Sequence, residues 1–152
     1  MLTVLGQDMP PTPPAIIDRI REIEARIRPH EHSLKVEMEH VLHAGMYART
    51  CRLGAPMLIT SVLIKIPTVL IVNGKCSIFA GQKWHQLEGY NVIAASAGRK
   101  QIYVTMEPTE ITMTFPTAAK TLAEAEAQFT DEAASLLSRR SEAKEPLVVT
   151  GQ

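Results

Sequence analysis

The side chains able to do acid–base, nucleophilic or ligand chemistry in this 152-residue chain are scattered rather than grouped. His30-x-His32 has the spacing of a ligand pair on an extended chain, but it follows Pro29, which ends a helical pattern, so both histidines read as solvated loop residues. His40 and His43 differ by three positions and so point to opposite faces of one strand; they make no site together. His85 stands beside Trp84 in the turn-like "GQKWHQLEG", where a surface or interface role fits better than catalysis. Cys51 and Cys76 form no C-x-x-C pair, which argues for buried free thiols rather than a zinc knuckle or a disulfide framework. No Gly-x-Ser-x-Gly elbow, Walker-type phosphate loop or His-Glu-x-x-His helix is present.

Two sets of polar residues remain. Gln101, Tyr103, Thr105 and Glu107 alternate along one strand-like segment and share a face, presenting an amide, a phenol, a hydroxyl and a carboxylate in a row. That face is either the wet outer side of a sheet or the polar wall of an interior. Tyr47 and Arg49, in "GMYAR", share a face of an earlier strand. A buried arginine needs a partner, and its planar fork suits a carboxylate or phosphate; the partner is either a structural carboxylate such as Glu107 or the anion of a ligand. Arg99 and Lys100, beside Gly98, read as surface charge at a turn.

The elements that must hold these residues follow from periodicity. Residues 1–14 end in "MPPTPP", an extended proline-rich arm. Over 15–28 the isoleucines Ile16, Ile20, Ile23 and Ile27 recur at steps of four, three and four, which predicts an amphipathic helix packed on its own domain or seamed against the same helix of another subunit. Residues 34–117 break into short β-branched segments with turn signals between them, as in an all-β sandwich or barrel. Asn73-Gly74 predicts a two-residue hairpin turn between "TVLIV" and "KCSIF". Thr121 and Glu124 form a capping box heading a helix over 121–140 that closes on Arg139 and Arg140. Residues 141–152 read as a flexible tail unless a neighbouring chain catches "LVV".

Bulk properties narrow the classes. Sixteen basic and sixteen acidic side chains cancel, so no overall field draws the molecule to a nucleic-acid polymer or an anionic membrane. The apolar run "GAPMLITSVLIKIPTVLIVNG" over 54–74 is interrupted by Lys65 and Pro67 before it reaches the roughly 20 residues of a spanning helix, and its β-branched residues favour strands. The start carries neither a basic n-region nor a long apolar stretch, so the expected location is the cytoplasm.

The two glycines framing that run carry a family resemblance. Gly54, five residues, Thr60-Ser61-Val62, four residues, Pro67, six residues and Gly74 keep the spacing of the first cupin motif, whose ligands are two histidines and a glutamate. Gly89, Ser96-Ala97-Gly98 and Gln101 follow the second motif with one extra residue after the first glycine, and Gln101 stands where its histidine would. Over about residues 36–117 the chain resembles small cupin-like proteins of bacteriophages. The resemblance implies a mainly β fold, a cupin-like (double-stranded β-helix) barrel with an N-terminal and a C-terminal helix. It also puts Thr60, Val62, Pro67 and Gln101 at the metal positions. Divalent metals need several N, O or S donors converging at about 2–2.5 Å, and valine and proline offer none, so neither a metal nor a cofactor is expected.

If Thr60 and Val62 point inward, Ile64 does too, and Gln101 is carried to the lumen by the motif alignment. The expected ligand-binding set is Tyr47, Arg49, Thr60, Gln101, Tyr103 and Glu107, with no catalytic group. A mostly apolar pocket with a few convergent polar groups makes a receptor sooner than a catalyst. The expectation is a homo-oligomeric protein binding a small polar or anionic molecule. The phage resemblance implies one concrete role: a sponge for a nucleotide-derived immune signal, working in the cytoplasm of the host by mass action. The alternatives are a small isomerase or hydrolase using Glu107 or Tyr103 as acid or base, and a phage structural or interaction protein whose barrel is packed solid.

Overall fold

The computed structural model describes residues 8–27, 36–136 and the strand 147–150. The molecule is mainly β, with one α-helix near the N-terminal side of the long strands and another on their C-terminal side in the chain, each flanked by a short outer strand. Strands β1 (Asp8–Met9), β2 (Glu37–His43), β3 (Met46–Leu53), β4 (Met57–Thr60), β5 (Thr68–Ala80), β6 (Lys83–Ala95), β7 (Ile102–Pro116) and β8 (Leu147–Thr150) form one sheet in the order β1-β6-β5-β7-β3-β2-β8, with β4 added to β7. β7 pairs with β5 along one edge, while its other edge is divided: β4 takes Ile102–Thr105 and β3 takes 109–116.

Two tight turns set the hairpins. Ala44-Gly45, both at positive φ, joins β2 to β3, the two-residue loop whose twist matches the strands. Gly81-Gln82 joins β5 to β6, with Ala80 opposite Lys83. The predicted hairpin at Asn73-Gly74 is therefore corrected: both residues lie inside the 13-residue β5. Gly74 marks a bend. It stands opposite Gly89 of β6, and the register against β7 slips between Asn73 and Lys75 and again between Lys75 and Cys76. A Cβ at Gly74 would fall 2.4 Å from Thr109 Oγ1, so only glycine lets β7 come this close. The three longest strands thus bend at one level, and the sheet curves around its apolar side.

That concave side holds the core, with Tyr47, Val72, Cys76, Ile78 and Ile93 each at 0% exposure. Helix α1 (Pro14–Ile27) starts on a proline, whose missing N–H costs nothing at a first helical position. Its stripe is used within its own chain: Ile20 is buried and Ile16, Ile23 and Ile27 are half-buried. Ahead of it, Met9 is buried beside β6, and the Thr12 hydroxyl donates to Lys100 O at 3.0 Å and accepts from Lys100 N at 2.8 Å. These bonds tie the proline-rich arm down.

The capping box holds at α2, where Thr121 Oγ1 accepts from Glu124 N, but the helix covers only Leu122–Phe129, followed by a single 3₁₀ turn at Ala133–Ser135. The predicted helix over 121–140 is cut short because tertiary bonds take its end. Thr130 turns extended, its hydroxyl donates to Leu63 O at 2.8 Å, and Lys65 N donates to Phe129 O at 2.8 Å. Arg139 and Arg140 lie outside the described residues, as do His30 and His32. The tail expectation is corrected in part: Leu147–Thr150 pairs in parallel with Glu39–Leu42 of the same chain, so "LVV" needs no neighbouring molecule. No helix among the described residues is long and apolar enough to cross a membrane.

Candidate functional site

The curved sheet does not fill its interior. A cavity of about 110 Å³ lies between β3, β4, the segment 61–64, β7 and Phe129, with Glu24 of α1 and the turn at 132–136 at its edge. Its apolar lining comes from Ile59, Val62, Ile64, Leu70, Ile111 and Met113. Its polar wall comes from the segment between β6 and β7. There Ile64 bridges Arg99, and Ser61 N donates to Gln101 O at 2.9 Å, so backbone bonds fix both side chains.

On that wall Gln101 and Tyr103 are buried; the Tyr103 hydroxyl donates to Gln101 Oε1 at 3.2 Å, and the Gln101 amide donates to Met9 Sδ. Burial holds the Tyr103 phenol far above its usual range, against an opposing pull from Arg99. Cys51, also on the lining, is pushed up to about 12 by burial. Both groups stay protonated at any physiological pH.

Arg99 is 1% exposed, with no carboxylate within ion-pair distance among the described residues. Its terminal nitrogens donate to Ser96 O at 2.9 Å, Ile66 O at 3.3 Å, Thr68 Oγ1 at 2.6 Å and Met113 Sδ at 3.6 Å, and Nε has no partner. Burial lowers its pKa to about 10, which leaves it charged at neutral pH. The other buried cations here are matched. Arg49 lies 3.7 Å from Glu126 of α2 and packs over the Phe129 ring, and Lys100 lies 2.9 Å from Glu24.

Of the residues singled out from the sequence, Arg49, Thr60, Gln101 and Tyr103 meet at this cavity. Thr60 is turned toward α1, donating to Glu24 Oε2 at 2.6 Å. Tyr47 is buried behind the lining, stacked on Phe129 and edge-on to Phe115, where it shapes the wall without reaching the space. Glu107 is exposed, so the expectation that it shares the inward face with Gln101 and Tyr103 is corrected. The register slip opposite Lys75 turns it out, and Thr109 takes the next buried position. With Glu107 outside, the partner of Arg49 is Glu126 instead. At the motif positions, Thr60, Val62 and Gln101 line the cavity and Pro67 is exposed. No three His, Cys, Asp or Glu side chains converge among the described residues.

Arg99 and Lys100 are the largest revision: read as surface charge, both are 1% exposed. A signal for Arg99 was available, since alternation carries back two residues from an inward Gln101. His85 is likewise corrected, lying buried within β6 instead of in a turn, while Trp84 is 51% exposed.

His40 is buried beside the site, sharing a 2.7 Å hydrogen bond through Nδ1 with the Tyr47 hydroxyl, while Nε2 has no partner among the described residues. Burial first, then the nearby Arg49, lowers its pKa from 6.5 to about 4, with Glu126 opposing. The unfolded chain therefore takes up a proton between pH 6.5 and 4 that the folded chain refuses. Stability is indifferent to this group above pH 6.5, falls as pH drops through that window, and is lower by about 3 kcal/mol below it. In urea unfolding at about pH 7 and about pH 4.5, His40→Leu is expected to lose roughly 2 kcal/mol less than the parent between the two conditions. Equal losses would show that His40 does not govern the acid limb.

Comparison with known proteins gives a likeness of shape alone. No family model matches the chain, and no curated protein matches it. Among solved structures it is similar to a Cupin_2 domain of an XRE-family transcriptional regulator from Enterobacter cloacae, at 13% identity and a TM-score of 0.39, over 47% of this chain and 83% of that one. It is also similar to an HTH_3-family transcriptional regulator from Vibrio cholerae, at 14% identity and a TM-score of 0.38, over 47% of this chain and 44% of that one. A conserved protein of unknown function from Streptococcus pyogenes matches at 12% identity and a TM-score of 0.38, over 52% of this chain and 82% of that one.

Proposed function

We propose that this protein is a metal-free, non-catalytic receptor of cupin-like form, which takes a small polar or anionic molecule into its interior. The observation that carries this reading is the buried wall of Arg99, Gln101 and Tyr103 set against a cavity of about 110 Å³ with apolar opposite sides. A few convergent polar groups in an apolar pocket orient a ligand, and a space of this size is more than a solidly packed structural barrel leaves. Chemistry is disfavoured by the state of the groups present. Cys51 and Tyr103 are held protonated, Arg99 is held charged, and Glu107, the acid or base an isomerase or hydrolase would use, faces solvent. The side chains at the motif positions supply too few donors for a divalent metal.

In this reading the molecule is a homo-oligomer that holds its ligand by mass action and returns it unchanged. An engineered cavity of about 150 Å³ holds a single benzene, so the space of about 110 Å³ takes in a small molecule or one small group of a larger one such as a nucleotide signal. Sequestration is proposed for a ligand that presents such a group. Native mass spectrometry of the purified protein, with chromatography of what is released, provides the test. The expected result is one small molecule per chain, recovered identical after prolonged incubation. A chemically altered product would sink the non-catalytic reading, and a chain that captures nothing from a metabolite extract would sink the receptor itself.

A further inference from the structure

We infer that the interior ligand is a compact monoanion, a short-chain carboxylate, with Arg99 as its counter-charge; this rests on the receptor reading above. The first support is the charge balance at this end of the fold. Two of the three buried cations have carboxylates, Arg49 with Glu126 and Lys100 with Glu24, and Arg99 has none among the described residues. A cation kept out of water without a counter-ion carries a penalty that a bound anion would remove.

The second support is how the guanidinium is held. Ser96 O, Ile66 O, Thr68 Oγ1 and Met113 Sδ occupy its terminal nitrogens and fix the plane, leaving the buried Nε without an acceptor. A charged side chain locked in place on a cavity wall is a preorganised counter-charge for a carboxylate, and the Gln101 amide beside it keeps one N–H, beyond its bond to Met9 Sδ, for a carboxylate oxygen. The acidic residues near the space do not compete. Glu24 is engaged by Lys100 and Thr60, and Glu132 by Arg21 and Leu63 N.

The third support is size and polarity. About 110 Å³ bounded by Leu70, Ile111 and Met113 suits a short alkyl chain. One uncompensated positive charge matches a monoanion and not the double charge of a phosphate ester.

Isothermal titration of the full chain, freed of bound small molecules by partial unfolding and refolding, with acetate, propionate, butyrate, propionamide, butyramide and inorganic phosphate separates the outcomes. The expected result is that propionate or butyrate binds roughly tenfold or more tighter than its amide, a ratio in line with a hydrogen bond to a charged group. Arg99→Met should lower carboxylate affinity by roughly the same factor while leaving amide affinity nearly unchanged. Leu70→Phe, which fills the space without touching the charge, should abolish both. Amides binding as tightly as the acids would overturn the anion inference and leave the receptor reading intact. Phosphate preferred to every carboxylate, or no binding by any acid of the panel, would also overturn it, while native mass spectrometry still decides the receptor reading. If Arg99→Met does not fold, the acid-to-amide ratio of the parent protein decides.

Discussion

Gly74→Ala is expected to lower the unfolding free energy by more than about 3 kcal/mol, or to leave too little folded protein to measure. The added methyl would meet Thr109 Oγ1 at 2.4 Å, Thr109 Cα at 2.7 Å and Pro108 O at 2.8 Å, two of which are backbone and cannot rotate away. It would also carry a φ of +150°, where side chains are strained. The neighbouring strand must retreat, and with it the bend that carries Tyr103 and Ile111 around the cavity. Gly54→Ala is the control, because nothing lies within 4 Å of its Cβ position; its expected change is within about 0.5 kcal/mol. Urea unfolding followed by circular dichroism measures both. A loss at Gly74 below about 1 kcal/mol would show that β5 and β7 can separate there without consequence for the fold.

Glu126→Gln should cost about 3–5 kcal/mol, although the change is nearly isosteric. The Glu126 and Arg49 side chains are 3% and 10% exposed, and the guanidinium lies 5.7 Å from the centre of the Phe129 ring. Neutralising the carboxylate removes the counter-charge 3.7 Å from a buried cation, and loss of a counter-charge in a buried setting is what makes such a change expensive. Replacing both partners, Arg49→Met with Glu126→Leu, is expected to recover most of the loss, because the desolvation of both charges disappears together. A double variant as unstable as the single one would show that Glu126 acts through contacts other than Arg49.

The consequence for α2 is specific. With eight residues it is too short to persist alone, so its position depends on what it buries, namely Ala125, Glu126 and Phe129. Phe129 stacks on Tyr47 and lines the cavity, so loosening α2 should open one side of the binding space as well as reduce stability.

The strands were legible from local pattern. β2, β3, β5, the second half of β6 and β7 fall on the β-branched segments, and the second helix starts at its Thr121 cap, because each depends on residues only a few positions apart; the first helix begins one residue before its expected start, on Pro14 of the arm. The motif spacing carried Thr60, Val62 and Gln101 to one cavity, and alternation along the strand, a local rule, carried Tyr103 in after Gln101. It failed at Glu107 because a register slip is set by the partner strand, which no segment of β7 contains. It failed at Asn73-Gly74 because a glycine required by the approach of Thr109 looks, in sequence, like a glycine required by a turn.

What the sequence by itself determined is the mainly β character, the flanking helices and the absence of metal donors at the motif positions. The tertiary structure decided the charges: that Arg99 and Lys100 are buried, that Glu126 and not Glu107 meets Arg49, and that "LVV" closes the sheet at β2. The physical reason is that burial of a charged side chain depends on which distant segments surround it. Secondary structure answers to neighbours in the chain, and electrostatics to neighbours in space.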